Sequence, residues 1–319
     1  MIGDIENKEE SRKYLLDLKE GRIKLGLGIG CVLDDHLRFN PSGFNVILGH
    51  SNVGKTAFVF WYFLMIALKH DKKFLVFSSE NTTGSIKRDL IQFLEQEKLK
   101  NLSDAHYYSA LGRVEHHFDF LEIDHLYTHR ILLDSFEKNK DNYDGFLIDP
   151  YNSLIKDSSI AGNSHDYDYQ ASTEIRIFCR KYTKAVYLVA HANTEALRKT
   201  YPKGHEYEGF PIPPNAADIE GGGKWVNRAD DFIVIHRMTQ HPSRWMFTEI
   251  HIKKVKDTAT GGKPTFLDEP ACFRMYNESQ FFAQERNGKE IEPLHNSQFQ
   301  SKKLEINTNF DNEEHDTPF

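Results

Sequence analysis

The segment GHSNVGKT, residues 49–56, constrains the fold of this chain more than any other part of its sequence. It follows the apolar run FNVIL and precedes an apolar stretch at residues 57–68. Glycines between a strand and a helix let backbone N–H groups surround phosphates, and the helix N-terminus adds partial positive charge. The pattern G-x-x-x-x-G-K-[ST] in this setting predicts a loop that binds nucleotide phosphates. The predicted contacts are Gly49, Ser51, Asn52, Val53, Gly54, Lys55 on the β and γ phosphates, and Thr56 on Mg²⁺.

From about residue 25 the chain alternates short apolar runs with helical stretches. Most of the candidate strands are almost continuously apolar, as strands covered by helices on both faces are. They lie at residues 44–48, 74–78, 146–148, 186–190 and 232–235. Residues 245–255 alternate more and are expected toward the edge of the sheet. The sequence therefore predicts an α/β core with a mostly parallel central sheet flanked by helices.

Polar segments flank this predicted core. Residues 1–24 predict an arm with one short helix, because apolar residues recur there at helical spacing and a glycine follows them. The ATPase domain is expected over residues 25–284, and a flexible acidic tail over residues 285–319. Residues 156–168 and 194–224 are predicted to be long loops, which in a compact domain are usually functional or disordered.

The charge of the chain excludes a broad basic surface for nucleic acid. The formal net charge is −7, and residues 303–319, with five acids and one base, contribute −4 of it. Any contact with DNA must therefore come from a few local loops. The polar N-terminus, the shortness of the longest apolar run and the three widely spaced cysteines predict a cytoplasmic protein with no membrane association and no disulfide framework.

Two carboxylates follow predicted strands. Asp149 ends the strand FLID, and a carboxylate there can orient Mg²⁺ and its waters. Glu80 ends FLVFSSE, so it points into the crevice in which α/β proteins bind ligands. Glu80 can position or deprotonate the attacking water, or it can be a solvated helix cap ahead of Asn81 and Thr82. The residues alone leave both interpretations open.

These segments, in this order, resemble the DnaB-type hexameric replicative DNA helicases and their phage and mitochondrial relatives, over roughly residues 25–280. The resemblance implies a RecA-like P-loop fold. FSSENT resembles the family's motif whose glutamate is the catalytic base, which gives Glu80 that role. VAHANT resembles the motif whose polar residue senses the γ-phosphate, here His191. DIEGGGKWVNRADDFIVIHR is similar to the segment that links the second DNA loop to the next strand.

A further segment, IHIKKVKDTATGG, resembles the strand that offers a Lys-x-Arg pair to the ATP of the neighbouring subunit. Lys254 matches the lysine, whereas Lys256 occupies the place of the arginine finger. Lysine presents a point charge where arginine presents a planar bidentate fork, so the departure bears on the strength of activation between subunits. Arg237 and Tyr276 resemble positions that flank the nucleotide base. The implied assembly is a homo-hexamer that uses ATP and Mg²⁺.

The resemblance assigns contacts with single-stranded DNA to the two long loops. The cations available there are Lys156, Arg198, Lys199 and Lys203. An ordinary solvated charge is the alternative for each of them, but six copies in a ring would line one channel. About 40 residues precede the strand before the phosphate loop, so neither a primase nor the usual helical N-terminal domain is expected in this chain.

Two other features have weaker functional interpretations. His125 and His129 have the i,i+4 spacing of metal ligands on one helix face, and His116 and His117 lie near them in sequence. Without a third fixed ligand, a polar helical surface is preferred to a metal site. The C-terminal residues FDNEEHDTPF resemble the tail tips of bacterial single-stranded DNA-binding proteins. They predict either docking to a replication partner or a solubilising tail.

The sequence thus predicts an ATP-driven ring motor that translocates on single-stranded DNA, the core of a replicative helicase that is phage-encoded or phage-like. Two alternatives stay open. One is a RecA-like ATPase that does not unwind DNA, such as a helicase loader, a recombination accessory protein or a regulatory ATPase. The other is a scaffold that binds nucleotide and turns it over weakly.

Overall fold

The structure is a computed structural model that describes residues 8–160, 164–219, 222–277 and 279–296. The helices in these ranges are α1 (Lys8–Lys19), α2 (Lys55–His70), α3 (Thr83–Glu95), α4 (Asp104–His117), α5 (His129–Asn139), α6 (Ser164–Tyr182) and α7 (Lys224–Arg228). The strands are β1 (Phe44–Gly49), β2 (Phe74–Ser78), β3 (Phe118–Phe120), β4 (Gly145–Asp149), β5 (Ala185–His191), β6 (Asp231–His236), β7 (Phe247–Val255), β8 (Ala271–Tyr276), β9 (Gln280–Gln284) and β10 (Glu290–Ile291). A compact unit that begins at Gly26 contains all of these strands, and α1 precedes it.

The strands form one sheet in the order β10-β9-β8-β7-β6-β1-β5-β4-β2-β3. Strands β1 to β6 pair in parallel, and the sheet continues from β6 to β10 by antiparallel pairing. The predicted mostly parallel sheet is therefore confirmed, and the five apolar runs match β1, β2, β4, β5 and β6 to within one residue at either end. Of the alternating segment, residues 247–255 form β7 in the antiparallel part. The expected place toward the edge of the sheet is wrong, because β8, β9 and β10 lie beyond β7.

Helices cover both faces of the parallel strands. One face packs against α2, α3 and α4 in a core that includes Leu147, and the other packs against α5, α6 and α7 in a core that includes Phe146 and Ile148. Successive residues of one strand point to opposite faces, so β4 supplies apolar side chains to both cores. This is why the strands are continuous apolar runs in the sequence.

Helix α2 is the apolar stretch that follows the phosphate loop. Every residue from Phe58 to Ala67 is buried, so this helix is part of the core. It follows Gly54, which has a φ of 86°, and precedes Asp71, which has a φ of 51°. Among the helices of the described residues, we find none with the length and apolar character needed to cross a membrane.

The structure departs from the expected boundaries in three places. Strand β10 pairs with β9 beyond residue 285, where the tail was expected to begin, and the Glu285 side chain accepts a hydrogen bond from Val32 N–H at 2.9 Å. Helix α6 begins inside the first predicted loop, and the second contains short 3₁₀ turns at Thr194–Arg198 and Ala216–Asp218. The acidic tail from residue 297 onward, with its Pro-Phe end, lies outside the described residues.

Candidate nucleotide-binding site

The phosphate loop connects β1 to α2 at the sheet edge where the parallel strands end. At this edge the chains leaving β5 and β6 lie on either side of β1, the kind of crevice in which α/β folds bind ligands. A Cβ on Gly49 would lie 2.5 Å from the carbonyl oxygen of Ile235, so only glycine allows this close approach of β6. Asn52 turns the loop with a φ of 61°. Ser51 and Asn52 are exposed, and Val53 is buried.

Lys55 is the first residue of α2, and its side chain is buried within the phosphate loop. Its Nζ donates to the carbonyl oxygens of Gly49 at 3.1 Å and His50 at 2.8 Å. Burial lowers the pKa of Lys55 to about 8, although the nearby carboxylates of Asp149 and Glu80 oppose that shift. A bound phosphate would replace these carbonyl contacts with a full negative charge, so the position suits a cation that faces the β and γ phosphates.

Thr56 and Asp149, the pair predicted to hold Mg²⁺, contact each other directly. The Thr56 hydroxyl donates to Oδ2 of Asp149 at 3.0 Å. Asp149 ends β4 and is buried, and this burial raises its pKa to about 6 although the bond from Thr56 opposes the rise. A hydroxyl and a carboxylate beside the phosphate loop are the hard oxygen ligands that Mg²⁺ prefers. The residues therefore fit the metal.

Replacing Asp149 by asparagine is expected to stabilise the protein in the absence of metal and nucleotide. The folded-state pKa of about 6 lies above the ordinary value of 3.8, so the folded state binds this proton more tightly. Asp149 therefore stabilises the fold at low pH, and this contribution is lost as pH rises through about 6. Asparagine cannot ionise, so the variant should gain roughly 3 kcal/mol at pH 8 and about half of that at pH 5. Urea unfolding in a chelator measures both values.

Asp144→Asn is the matched control for this experiment. Its carboxylate is half-buried and pairs with Lys72 at 3.0 Å, so its removal should destabilise the protein slightly at both pH values. If Asp149→Asn unfolded at the same urea concentration as the wild type at pH 8, burial of the ionised carboxylate would not destabilise the fold.

Glu80 and His191 continue a chain of contacts that starts at Lys55. Nζ of Lys55 lies 3.3 Å from Nδ1 of His191, and Nε2 of His191 lies 3.0 Å from Oε1 of Glu80. An ammonium group can only donate, so Nδ1 accepts and the Nε2–H group donates to the carboxylate. His191 ends β5 and Glu80 follows β2, on either side of β4. The sensor and the base expected from the resemblance are therefore in direct contact.

Arg237 and Tyr276 both lie along the phosphate-loop edge of the sheet. Arg237 follows β6 and borders the loop, because a Cβ on Gly54 would lie 3.8 Å from its Nη1. Its Nε donates to the carbonyl oxygen of Trp245, and burial lowers its pKa. Tyr276 ends β8, further along this edge, with the guanidinium carbon of Arg274 5.4 Å from its ring centroid.

Lys254 and Lys256 lie at the opposite edge of the sheet from the phosphate loop. The Nζ of Lys254 donates to the carbonyl oxygens of Val226 and Ala229, at 2.7 Å each, and so binds the last turn of α7. Burial lowers the pKa of Lys254. Lys256 follows β7, is about two-fifths exposed and places its Nζ 3.5 Å from the carboxylate of Asp230.

The four cations predicted to bind DNA differ in their surroundings. Lys156 and Lys203 are exposed. Arg198 pairs with Glu195 at 2.8 Å, and both side chains are largely exposed. Lys199 pairs with the buried carboxylate of Asp218. Since an unpaired buried carboxylate is costly, Lys199 supports the fold of its loop whether or not it also contacts DNA.

Two residues that the sequence reasoning missed connect other segments to this site. Nε2 of His50, in the phosphate loop, lies 3.3 Å from the carbonyl oxygen of Ile212 and so links that loop to residues 194–224. Oδ1 of Asn152 accepts a hydrogen bond from the backbone N–H of His191 at 3.0 Å and fixes the end of β5. The sequence signals available were that His50 directly follows Gly49 and that Asn152 comes soon after FLID.

Comparisons with known proteins agree with this architecture. No protein-family model matches the chain. The Twinkle homolog protein of chloroplasts and mitochondria from Arabidopsis thaliana is 28% identical over 119 residues, which are 37% of this chain and 15% of that protein. The match thus spans a small part of the length of that relative.

Solved structures resemble the chain over most of its length. An ATPase domain superposes with a TM-score of 0.70 and 14% identity, covering 91% of this chain and 99% of that chain. A DnaB-like replicative helicase, solved in work on its interactions with primase, superposes with a TM-score of 0.67 and 13% identity, covering 88% of this chain and 67% of that chain. The chain therefore has the RecA-like fold of helicase ATPase domains, as the resemblance implied.

Proposed function

We propose that this chain is an ATPase that acts as a ring-shaped motor on single-stranded DNA, the core of a replicative helicase. The observation that carries the proposal is the chain of contacts from Lys55 through His191 to Glu80. It joins a cation suited to phosphates to a carboxylate that can accept a proton from the attacking water. ATP and Mg²⁺ are the proposed cofactors, and Thr56 and Asp149 would hold the metal.

His191 has a distinct task in this mechanism. A γ-phosphate competes with Nδ1 of His191 for the ammonium group of Lys55, because a phosphate oxygen is the stronger acceptor. Lys55 would then leave Nδ1 of His191, while the Nε2–H group of His191 keeps donating to Glu80 and orients it toward the water. After hydrolysis and phosphate release, the contact between Lys55 and His191 re-forms. The imidazole thereby distinguishes the two nucleotide states.

We propose that Lys256 acts on the ATP of a neighbouring subunit. Asp230, which contacts Lys256, directly precedes β6. It lies five residues before Ile235, which contacts Gly49. At about 3.3 Å per residue these positions are roughly 16 Å apart along the strand, which is longer than a lysine side chain. Lys256 therefore cannot reach the phosphate loop of its own chain, but a ring would bring it to the next one. Lys254, bound to α7, would position this segment.

The loop at residues 194–224 would couple nucleotide state to DNA. It starts three residues after His191, and Asn193 N–H donates to the carbonyl oxygen of Asp218 at 2.7 Å. His50 binds the same loop from the phosphate-loop side. A displacement of His191 or of the phosphate loop must therefore move the loop that carries Arg198 and Lys203.

The proposed function is tested by the ATPase rate with and without single-stranded DNA, alongside the mass of the assembly with an ATP analogue. We expect a hexamer whose ATPase rate is stimulated by DNA. The logarithm of the DNA-binding constant should fall by about 0.7 per phosphate contact for each tenfold rise in salt concentration. Replacing Arg198 and Lys203 together by alanine should make that dependence shallower and remove the stimulation, while basal turnover stays. Lys199 is left in place because it neutralises the buried Asp218.

A double variant with alanine at Lys100 and Lys138 is the charge-matched control, since both are exposed and lie outside the two loops. It should keep the wild-type salt dependence. If the variant that lacks Arg198 and Lys203 also kept it, Arg198 and Lys203 would not bind DNA.

The second candidate is an accessory ATPase that does not unwind DNA. The pairing of Arg198 with Glu195 and of Lys199 with Asp218 favours it, because these cations are already neutralised within the chain. A monomer whose ATPase rate ignores both DNA and protein concentration would support this candidate over the ring motor. For the ring motor we further propose that it acts in the cytoplasm and that its acidic tail docks to a replication partner.

A further inference from the structure

A histidine and carboxylate cluster lies where the chain leaves α2 and where α4 ends. It consists of Asp71, His116 and His117, each of which offers a ligand atom within 4.8 Å of those of the others. Nε2 of His116 lies 3.6 Å from Oδ1 of Asp71. The two imidazole rings are nearly perpendicular, with centroids 4.8 Å apart. The cluster brings together residues that are more than forty positions apart in the sequence.

The hydrogen bond of His117 prepares this ring for metal coordination. Its Nδ1 lies 3.0 Å from the carbonyl oxygen of Lys72, and a carbonyl only accepts, so Nδ1 carries the proton. The lone pair is therefore on Nε2. A backbone carbonyl that binds one imidazole nitrogen and leaves the other to a metal is the usual second contact of a metal-ligating histidine. His117 is also buried, so its ring orientation is fixed.

The other two ligands are free to complete the geometry. The side chains of Asp71 and His116 are 84% and 55% exposed, so each can rotate without disturbing the core. Tetrahedral coordination with bonds of about 2.1 Å needs ligand atoms about 3.4 Å apart, a short movement from the present positions. Asp71 keeps its left-handed backbone at φ 51° as the residue after α2.

We propose that Asp71, His116 and His117 bind one divalent ion of the zinc class, with water in the remaining position. Two imidazoles and one carboxylate favour Zn²⁺ and its first-row neighbours over Mg²⁺ and Ca²⁺, which take oxygen ligands. The ion joins the far end of the phosphate-loop helix to α4. This site is separate from the nucleotide site and does not depend on the proposed function.

His125 and His129 are not a helical ligand pair, and the preferred interpretation, a polar helical surface, is wrong for His129. His125 precedes α5, and His129 is its first residue. His129 is fully buried, with its two ring nitrogens 2.9 Å from the Tyr167 hydroxyl and 2.8 Å from the Glu174 carboxylate. The third ligand that the sequence lacked comes instead from Asp71, which only folding brings to His116 and His117.

Zn²⁺ titration of the full chain by calorimetry tests the site, in excess Mg²⁺ and without nucleotide so that oxygen-ligand sites are occupied. We expect one Zn²⁺ per chain and a melting temperature that rises with Zn²⁺. His116→Ala and Asp71→Asn should each weaken binding about tenfold or more, because each removes one of three protein ligands. Asparagine tolerates the left-handed backbone at position 71, so that variant should fold.

His106→Ala is the matched control, because His106 lies on the same helix and its Nδ1 is 3.2 Å from a carboxylate oxygen of Glu95. It should bind Zn²⁺ like the wild type. Equal Zn²⁺ affinity in the wild type, His116→Ala and Asp71→Asn would overturn the proposal, as would the absence of a stoichiometric binding step in the wild type.

Discussion

Replacing Glu80 by glutamine is expected to leave ATP binding intact and to lower the hydrolysis rate by about 10²- to 10⁴-fold. The amide oxygen can still accept the hydrogen bond that His191 donates at 3.0 Å, so the arrangement of His191 and Lys55 should persist. The amide cannot take a proton from water, so only the chemical step should be lost. Fluorescent-nucleotide titration measures binding, and single-turnover phosphate release measures the chemical step.

Glu115→Gln is the control for this loss of a carboxylate. Glu115 pairs with Lys87 at 2.6 Å on α4 and α3, away from the nucleotide site, and the variant should hydrolyse ATP at the wild-type rate. Wild-type turnover in Glu80→Gln would instead mean that Glu80 is a solvated residue at the start of α3, the alternative that the sequence left open.

Replacing Lys256 by alanine is expected to lower ATP hydrolysis in the assembled protein by roughly 10²-fold, the usual effect of removing one charge donor from a transition state. The variant should fold, because Asp230 keeps its hydrogen bonds from Arg176 at 3.2 Å and from Phe44 N–H at 3.1 Å. Wild-type activity per chain should rise with protein concentration as subunits meet. When the wild type is mixed with an equal amount of the variant, the ATPase activity per chain should fall below the half of the wild-type value that independent sites would give.

Two further variants separate action between subunits from a general loss of charge. Lys256→Arg should preserve or raise the rate, because the guanidinium group adds a bidentate donor at the same place. Lys263→Ala removes an exposed lysine after β7 and should leave the rate unchanged. The protein could instead be a monomer whose ATPase rate per chain depends neither on protein concentration nor on Lys256→Ala. That result would show that no neighbouring subunit supplies a cation.

The sequence by itself determined the phosphate loop and the parallel part of the sheet. Both depend on local rules. Residues 49–56 carry their own backbone preferences, and a strand covered on both faces has to be apolar at nearly every position. Asp149 and Glu80 were found for the same reason, because Asp149 ends such a strand and Glu80 lies two residues after another, so both are at a known sheet edge. Strands β8 and β9, partly exposed at their polar residues, gave no such signal.

Only the tertiary structure decided which side chains meet. The contact of Lys55 with His191 joins residues 136 positions apart, and that of His191 with Glu80 joins residues 111 apart. The bond from His50 to Ile212 and the placing of Asp71 beside His117 likewise depend on how helices and loops pack on the sheet. Local propensity specifies an element and its exposed face, whereas a partner across the fold is chosen by packing, which no short segment encodes.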